Sequence, residues 1–521
     1  MSYISTERKG DKVLVWERTE EGRIFKEYSA PFYFYTKNRN GEYKSLFGDA
    51  LIKHEFSTNK EMVDAKALFQ ANEIFDGDVS PELKILSDKY NEVTAPKLHV
   101  TFYDIENDYD MEIGHASIEN PYAPINSISL YHTWNKKFVL LAVPPDGQDW
   151  NSETLLEAVN EKVPLPEDMN IDIHIFNTEK ELLKYFLTEI EDSDLLSGWN
   201  SSRFDDPYIT KRIEKTCGKH ALKELSFKES FKSVKFREVI DKKYGSTSIL
   251  VDWGGRINSD YLELYKKYDP SEKQSFKLES IAEEELGDKL PKLEYEGSLA
   301  KLYVKDFAYF VRYNIRDTEI LKAFEEELGY MELANQICHL SCCQWSHLLG
   351  TVRIAEIVIR NFCLHKHNLI LPDNDENKDG DRAEGAYVLD TIPGFYDWIG
   401  SIDITSLYPS AIMSVNASPE TLRGQFKETV ESVDLIKQQS DTELTLVLEK
   451  NGIEYTKSAK EWREELLELN WSISGYGTVF DLKEKGIIPM ILEEWFAMRK
   501  EYKGEGKRCY KEAQKILEKY K

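Results

Sequence analysis

From Lys97 onward the sequence changes rhythm, and that change limits the folds open to it. "KLHVTFYDIEND" alternates apolar and polar residues as a half-buried strand does, and "NSISLYHTW" and "KKFVLLAV" follow as neighbouring strands. "IDIHIF" is a further strand. "NTEKELLKYFLTEIE" has a helical period, with Thr178 and Glu181 spaced as a capping box. "DLLSGWN" then reads as a buried strand and "FDDPYITKRIEKTC" as another helix. Strands in a meander, followed by strands alternating with helices, predict an α/β sheet domain over about 97–329. At 521 residues there is room for about three or four domains.

Residues 1–96 mix short strand-like runs ("KVLVWER", "APFYFYT") with helical stretches such as "STNKEMVDAKALFQANEIF". Residues 330–375 are largely helical and belong with 1–96 in an N-terminal α+β domain. "NDENKDGDRAEG" is a polar linker. A third region, 376–484, opens with strands around Asp403, but 427–475 is charged and mixed and yields no assignment. Residues 485–521 form one or two charged helices. No apolar run approaches the roughly 20 residues needed to span a bilayer, so no membrane partner is expected. Six cysteines in a chain this long are no disulfide framework, which points to a reducing cytoplasm. The formal charge of −26 lowers the expectation of nucleic-acid binding without excluding a local basic groove.

Asp104 and Glu106 stand two apart in "FYDIEND", so a strand points both carboxylates to one face, where they suit hard divalent cations. Asp205 follows a Gly-Trp-Asn turn at a strand end, and its neighbour Asp206 reads as an Asx turn or helix N-cap. Tyr313 and Asp317, four apart in "YFVRYNIRDTEIL", share one face of a helix. A rival grouping, Cys338, His339, Cys342, Cys343 and His347, lacks the paired C-x₂-C knuckles of structural zinc and reads as core packing in a helix.

Taken in order, the three acidic stretches resemble the exonuclease motifs of family B DNA polymerases. "EYKSLFGD", "DYLELYKKY", "SFKLESIAEEE" and "VNASPETLRGQF" extend the resemblance to the polymerases of T-even-like bacteriophages over most of the chain. The resemblance implies an α/β multidomain chain: an RNase H-like 3′–5′ exonuclease domain, a mixed N-terminal domain, a partial palm and the start of helical fingers. It implies Asp104, Glu106, Asp205 and Asp317 as ligands of two Mg²⁺ or Mn²⁺ ions, with Tyr313 orienting the attacking water. Tyr244 and Gly245 in "DKKYGSTSILVD" would form a hairpin that parts primer from template. Gly385 and Ala386 in "AEGAYVL" would lie against template phosphates, where small residues allow close approach.

In "DITSLYPS" the resemblance makes Asp403 the first palm aspartate and a metal ligand. Leu407 would offer its backbone to the incoming triphosphate, and Tyr408 would lie beneath its sugar. Arg499 and Lys503, in "AMRKEYK", would hold the triphosphate. The Asp-x-Asp hairpin expected after them is missing, since Asp434, Asp441 and Asp481 are isolated. A lone aspartate leaves the charge of phosphoryl transfer uncompensated. The expectation is therefore the N-terminal part of a polymerase: either a subunit of a split enzyme, with a C-terminal chain supplying the rest of palm, fingers and thumb, or a fragment of a longer product. Primer-template and single-stranded DNA, dNTP, a sliding clamp reached through that chain, RNA, and the cytoplasm of an infected bacterium follow from the same resemblance. The alternatives are a stand-alone 3′–5′ exonuclease and an RNA-binding autoregulator.

Overall fold

The structure, a computed structural model, describes residues 2–520 apart from 108, 110–111, 241–246, 291–292, 294, 296, 374–388, 405 and 451. Tyr244, Gly245, Gly385 and Ala386 thus lie outside the described residues, as does the whole linker. Two compact units emerge. The first comprises 1–32, 55–65 and 79–357; the second comprises 33–54, 66–78 and 358–521.

The first unit is built on a six-stranded sheet. Its strands are β1 (Val100–Asn107), β2 (Ile125–His132), β3 (Lys137–Ala142), β4 (Ile171–Ile175), β5 (Leu195–Gly198) and β6 (Ile257–Asp260), ordered β4-β3-β2-β1-β5-β6. β1–β2 and β2–β3 pair antiparallel, while β4, β5 and β6 join parallel to their neighbours. Helices cover both faces. On one side α1 (Glu179–Glu189) and α2 (Asp205–Cys217) bury Leu182, Phe186, Tyr208 and Ile209 in one cluster with Tyr103, Ile105 and Leu130. On the other, α3 (Leu278–Leu286) and the long α4 (Phe307–Leu328) pack in. Phe310, Val311 and Ile315 meet Leu140 and Ala142, while Ile320, Leu321 and Phe324 meet Phe102. The period of two therefore sends Tyr103 and Ile105 to the first face and leaves Asp104 and Glu106 on the face of α4.

Local chemistry sets the ends of these helices. Asp306 caps α4, its carboxylate accepting from the Tyr309 amide at 3.1 Å, and Gly329 ends it in the left-handed region at φ +63°. At α1 the Thr178 hydroxyl accepts from the Glu181 amide at 3.3 Å. Among the described residues the reciprocal Glu181 bond is missing, so half of the expected capping box forms. The helix expected across "STNKEMVDAKALFQANEIF" is also shorter, ending at Lys66. A 3₁₀ turn and the two-residue strand Ile74–Phe75 follow, because Ile74 and Phe75 are buried as sheet residues rather than on a helix face. Strands Lys235–Ile240 and Thr247–Asp252 pair antiparallel on either side of 241–246.

In the second unit the segment that resisted sequence reading forms its own layer. β7 (Leu422–Phe426), β8 (Glu443–Leu448), β9 (Glu454–Ser458), β10 (Trp471–Ile473) and β11 (Thr478–Asp481) make an antiparallel sheet ordered β9-β8-β7-β11-β10. It is preceded by α5 (Leu407–Val415), and two helices intervene along its chain, α6 (Thr429–Gln438) and α7 (Ala459–Leu469). Phe426, Leu444, Leu446, Trp462 and Val479 form its core. Helix α8 (Ile487–Tyr520) is single, with Pro489 in its first turn, where a missing N–H costs nothing. Its first amides are capped from outside: Ile487 donates to the Glu420 carboxylate at 2.5 Å and Ile488 to the Ser418 hydroxyl at 3.3 Å. Asn416, at φ +58°, fastens the approach. Its amide donates to the carbonyls of Asp481 (2.6 Å) and Glu484 (2.8 Å), and its oxygen accepts from the Gly486 amide (2.8 Å).

Replacing Asn416 with Ala strands three backbone groups. It should destabilise the second unit by roughly 2–3 kcal/mol and speed hydrogen exchange at Gly486–Ile488, while amides of the β1–β6 sheet keep their protection. Unchanged exchange at those three amides contradicts this account of α8.

Candidate metal centre

The end of β1 carries Asp104 and Glu106, and α4 crosses that face with Asp317. Each of the three offers a carboxylate oxygen within 4.8 Å of the others, and all three are half-buried. Asp205 enters from the start of α2, buried, with its Oδ1 accepting from the Ile105 amide at 3.3 Å. The turn that delivers it depends on small and turn-tolerant residues. A Cβ on Gly198 would fall 2.8 Å from the Tyr103 carbonyl, and Asn200 sits at φ +62°. Asp260 ties the turn down, accepting from the Asn200 amide (2.9 Å) and the Ser202 hydroxyl (2.8 Å).

Like charges converge here, and the electrostatics follow. Burial and then the charge of Asp317 hold the Asp104 carboxyl well above the usual range, against a lowering hydrogen bond from Asn314. Glu106 is raised by burial and then by Asp104, Asp317 and Asp205. Asp205 is raised by burial, Asp104 and Asp206. Asp317 is pushed up to about 8 by burial, then by Glu279 and Asp205, with Arg316 pulling the other way. Four acids that repel one another and carry oxygen donors form a set that hard divalent cations neutralise, so the residues fit such a cation.

Two side chains serve this centre without having drawn notice in the sequence. Asn314, fully buried in the middle of α4, donates to Asp104 Oδ2 at 2.7 Å and to its carbonyl at 3.3 Å. Its amide is oriented by the Ser127 hydroxyl, which donates to Asn314 Oδ1 at 2.8 Å. An asparagine on the apolar face of a helix is the signal that could have found it. Glu279, in the first turn of α3, accepts from the Tyr313 hydroxyl at 3.0 Å; nothing in the local sequence marks it. Asp206 is not the N-cap expected of it. It lies inside α2, buried, where it accepts from the Tyr103 hydroxyl, and burial raises its carboxyl to about 7. The position before α2 belongs to Phe204, so no cap site was open to Asp206.

The remaining candidates among the described residues lie in the second unit and do not form a comparable cluster there. Asp403 is exposed in a segment without regular structure and makes no hydrogen bond or ion pair among the described residues. Leu407 and Tyr408 open α5 and are exposed, as are Arg499 and Lys503 on α8. Helix α5 packs on α8. Among the described residues, the groups able to hold a metal do not include Asp403. In the first unit, Cys338, Cys342 and Cys343 are buried, and the His339 ring nitrogens lie 2.9 Å from the Asn335 and Tyr3 carbonyls.

Residues 66–281 match the DNA polymerase family B exonuclease domain, and residues 350–520 match DNA polymerase family B. The chain is similar to the DNA-directed DNA polymerase of Escherichia phage RB69, at 28% identity over 435 residues, covering 81% of this chain and 44% of that protein. It is similar to the DNA-directed DNA polymerase of Enterobacteria phage T4, at 27% identity over 519 residues, 96% of this chain and 53% of that protein. The DNA polymerase delta catalytic subunit of Oryza sativa subsp. japonica is 25% identical over 357 residues, 65% of this chain and 28% of that protein. The chain thus spans about half the length of the phage proteins it matches.

Asp317 is held near 8 in the fold against about 3.9 in an unfolded chain, so ionising it costs folding stability as pH rises from about 4 to 8. In chelator, Asp317→Asn should melt above the parent at pH 8, by on the order of a few degrees, with the gap closing toward pH 4 in scanning calorimetry. A lower melting temperature for the variant at pH 8 refutes the repulsion described here.

Proposed function

The chain belongs to the family B DNA polymerases, and on that premise we propose that the Asp104–Glu106–Asp205–Asp317 centre is a 3′→5′ exonuclease site that trims DNA ends. The observation that carries this reading is the convergence of Asp104, Glu106 and Asp317 oxygens within 4.8 Å, with Asp205 alongside. These four residues would hold two divalent ions, Mg²⁺ or Mn²⁺. When bound, the ions neutralise phosphate charge and activate water. Asn314 keeps Asp104 turned toward the pocket, and Tyr313 orients the attacking water. The water oxygen bonds to the terminal phosphorus and the P–O3′ bond to the preceding nucleotide breaks. One water proton ends on the released 3′ oxygen.

The same reading makes these residues the N-terminal part of a polymerase whose synthetic centre needs a complementary part, on a second chain or on the remainder of a longer one. Asp403 supplies the first palm carboxylate, Leu407 and Tyr408 face the nucleotide, and Arg499 and Lys503 take its triphosphate. A ribbon of apolar residues supports this. Phe395 and Trp398 are wholly exposed, Ile402 is 93% exposed, and Leu389, Ile392 and Ile399 are also bare. Bare apolar side chains crowded into one stretch of sequence are a mark of a surface that further protein covers. The complementary part brings the further palm carboxylates, and primer-template DNA and dNTP bind the completed centre.

Asp104→Ala combined with Glu106→Ala should abolish Mg²⁺-dependent release of nucleotides from the 3′ end of single-stranded DNA; undiminished hydrolysis overturns the exonuclease assignment. Mixing the chain with a polypeptide bearing the missing Asp-x-Asp should restore template-directed primer extension. Extension by the purified chain alone rules the split reading out.

A further inference from the structure

Tyr313 stands one turn before Asp317 on α4, on the helix face that meets the end of β1. Its hydroxyl is engaged by Glu279 Oε1 at 3.0 Å. A phenol has one proton to give and lone pairs with which to accept; an ionised carboxylate only accepts. The Tyr313 proton is therefore spent on Glu279, and toward the pocket the phenol oxygen presents lone pairs alone. That polarity matters for a water nucleophile. An acceptor takes one of the water's O–H groups and leaves the oxygen lone pair free to point at phosphorus. A phenol free to rotate would also donate to the water, tying up the electron pair that must form the new bond.

We propose that Glu279 is a positioning residue of the hydrolytic site, fixing Tyr313 as a hydrogen-bond acceptor for the attacking water. The proposal rests on the exonuclease reading above. Glu279 takes the Tyr313 proton and, among the described residues, is not one of the carboxylates whose oxygens gather within 4.8 Å, so it acts through the phenol rather than as one of the ligand set. Two rival roles predict other behaviour. A plain strut between α3 and α4 contributes stability without regard to what Tyr313 does in the reaction. A fifth metal ligand loses cation affinity when it is removed.

The test is a double-mutant cycle in the full chain, read by pre-steady-state digestion of a labelled single strand. Glu279→Ala and Tyr313→Phe should each lower kcat about tenfold, the worth of roughly one hydrogen bond in the barrier, with KM little changed. The double variant should be no slower than Tyr313→Phe. Glu279→Gln, whose amide oxygen still accepts the phenol proton, should stay within about threefold of the parent. Two readouts do not depend on activity. In the metal-free chain labelled at tyrosine Cζ with ¹³C, the Tyr313 resonance, assigned by its loss in Tyr313→Phe, should move in Glu279→Ala. Calorimetric Mn²⁺ affinity should fall by less than about tenfold, as loss of one nearby charge and not of a ligand requires. Additive losses in the cycle, an unmoved Tyr313 resonance, Mn²⁺ binding weakened well beyond tenfold, or a Gln variant as slow as the Ala variant each overturn the proposal. If the Ala variant does not fold, the Gln rate and resonance decide it. Should Asp104→Ala with Glu106→Ala and Tyr313→Phe both prove silent, the exonuclease reading itself falls. Should those two act while Glu279→Ala is silent, only the role of Glu279 is lost.

Discussion

Mutual repulsion among carboxylates is the constraint around which the first unit is organised. With oxygens within 4.8 Å, each ionised pair opposes folding by roughly 3–4 kcal/mol at the effective dielectric of a protein site. No single hydrogen bond offsets that, since even a charge-assisted one returns about 1.5–3 kcal/mol. The arrangement persists because the backbone under it is over-determined. β1 is flanked by β2 and β5, its odd positions are sealed beneath α1 and α2, and α4 is clamped across the other face by Phe310, Val311, Phe324 and their neighbours. The hydrophobic layers hold the strain, and the acids are presented to whatever cation relieves it. A site of this kind trades stability for readiness.

Much of this was readable in the order of residues, because it depends on local periods. Spacing of two put Asp104 and Glu106 on one face, and spacing of four put Tyr313 and Asp317 on one side of α4. Gly198 and Asn200 announced a tight turn at a strand end. What escaped were residues whose meaning is wholly tertiary. Asn314 is a polar residue in a helix until Ser127, 187 positions away, turns its amide toward Asp104. Glu279 is one acid among several in α3 until Tyr313 reaches it. Asp206 has the composition of a cap and the surroundings of a core residue, and burial against Tyr103 decided between them.

The β7–β11 layer escaped for a different reason. Its strands are short, and charged residues such as Lys427, Glu454 and Lys457 dilute the apolar alternation. Its core draws single residues from β7, α6 and β11 (Phe426, Ile436 and Val479) onto β8 and α7, with Trp462 donating to the Leu444 carbonyl at 3.0 Å. A signal so thinly spread does not rise above the noise of a single sequence. The two units thus differ in kind. In the first, dense internal contacts make each strand legible from its neighbours; in the second, small elements are legible once they are packed.

The capping of α8 from Asn416, Ser418 and Glu420 has a mechanical meaning. At 1.5 Å per residue, its 34 residues extend about 50 Å, and its outer part is bare of packing. Such a rod clamped at its root is a lever. A tilt of about 10° in the Asn416 loop sweeps the tip through roughly 9 Å, so Arg499 and Lys503 ride on a crank whose pivot lies just past the short α5 helix that Leu407 and Tyr408 begin.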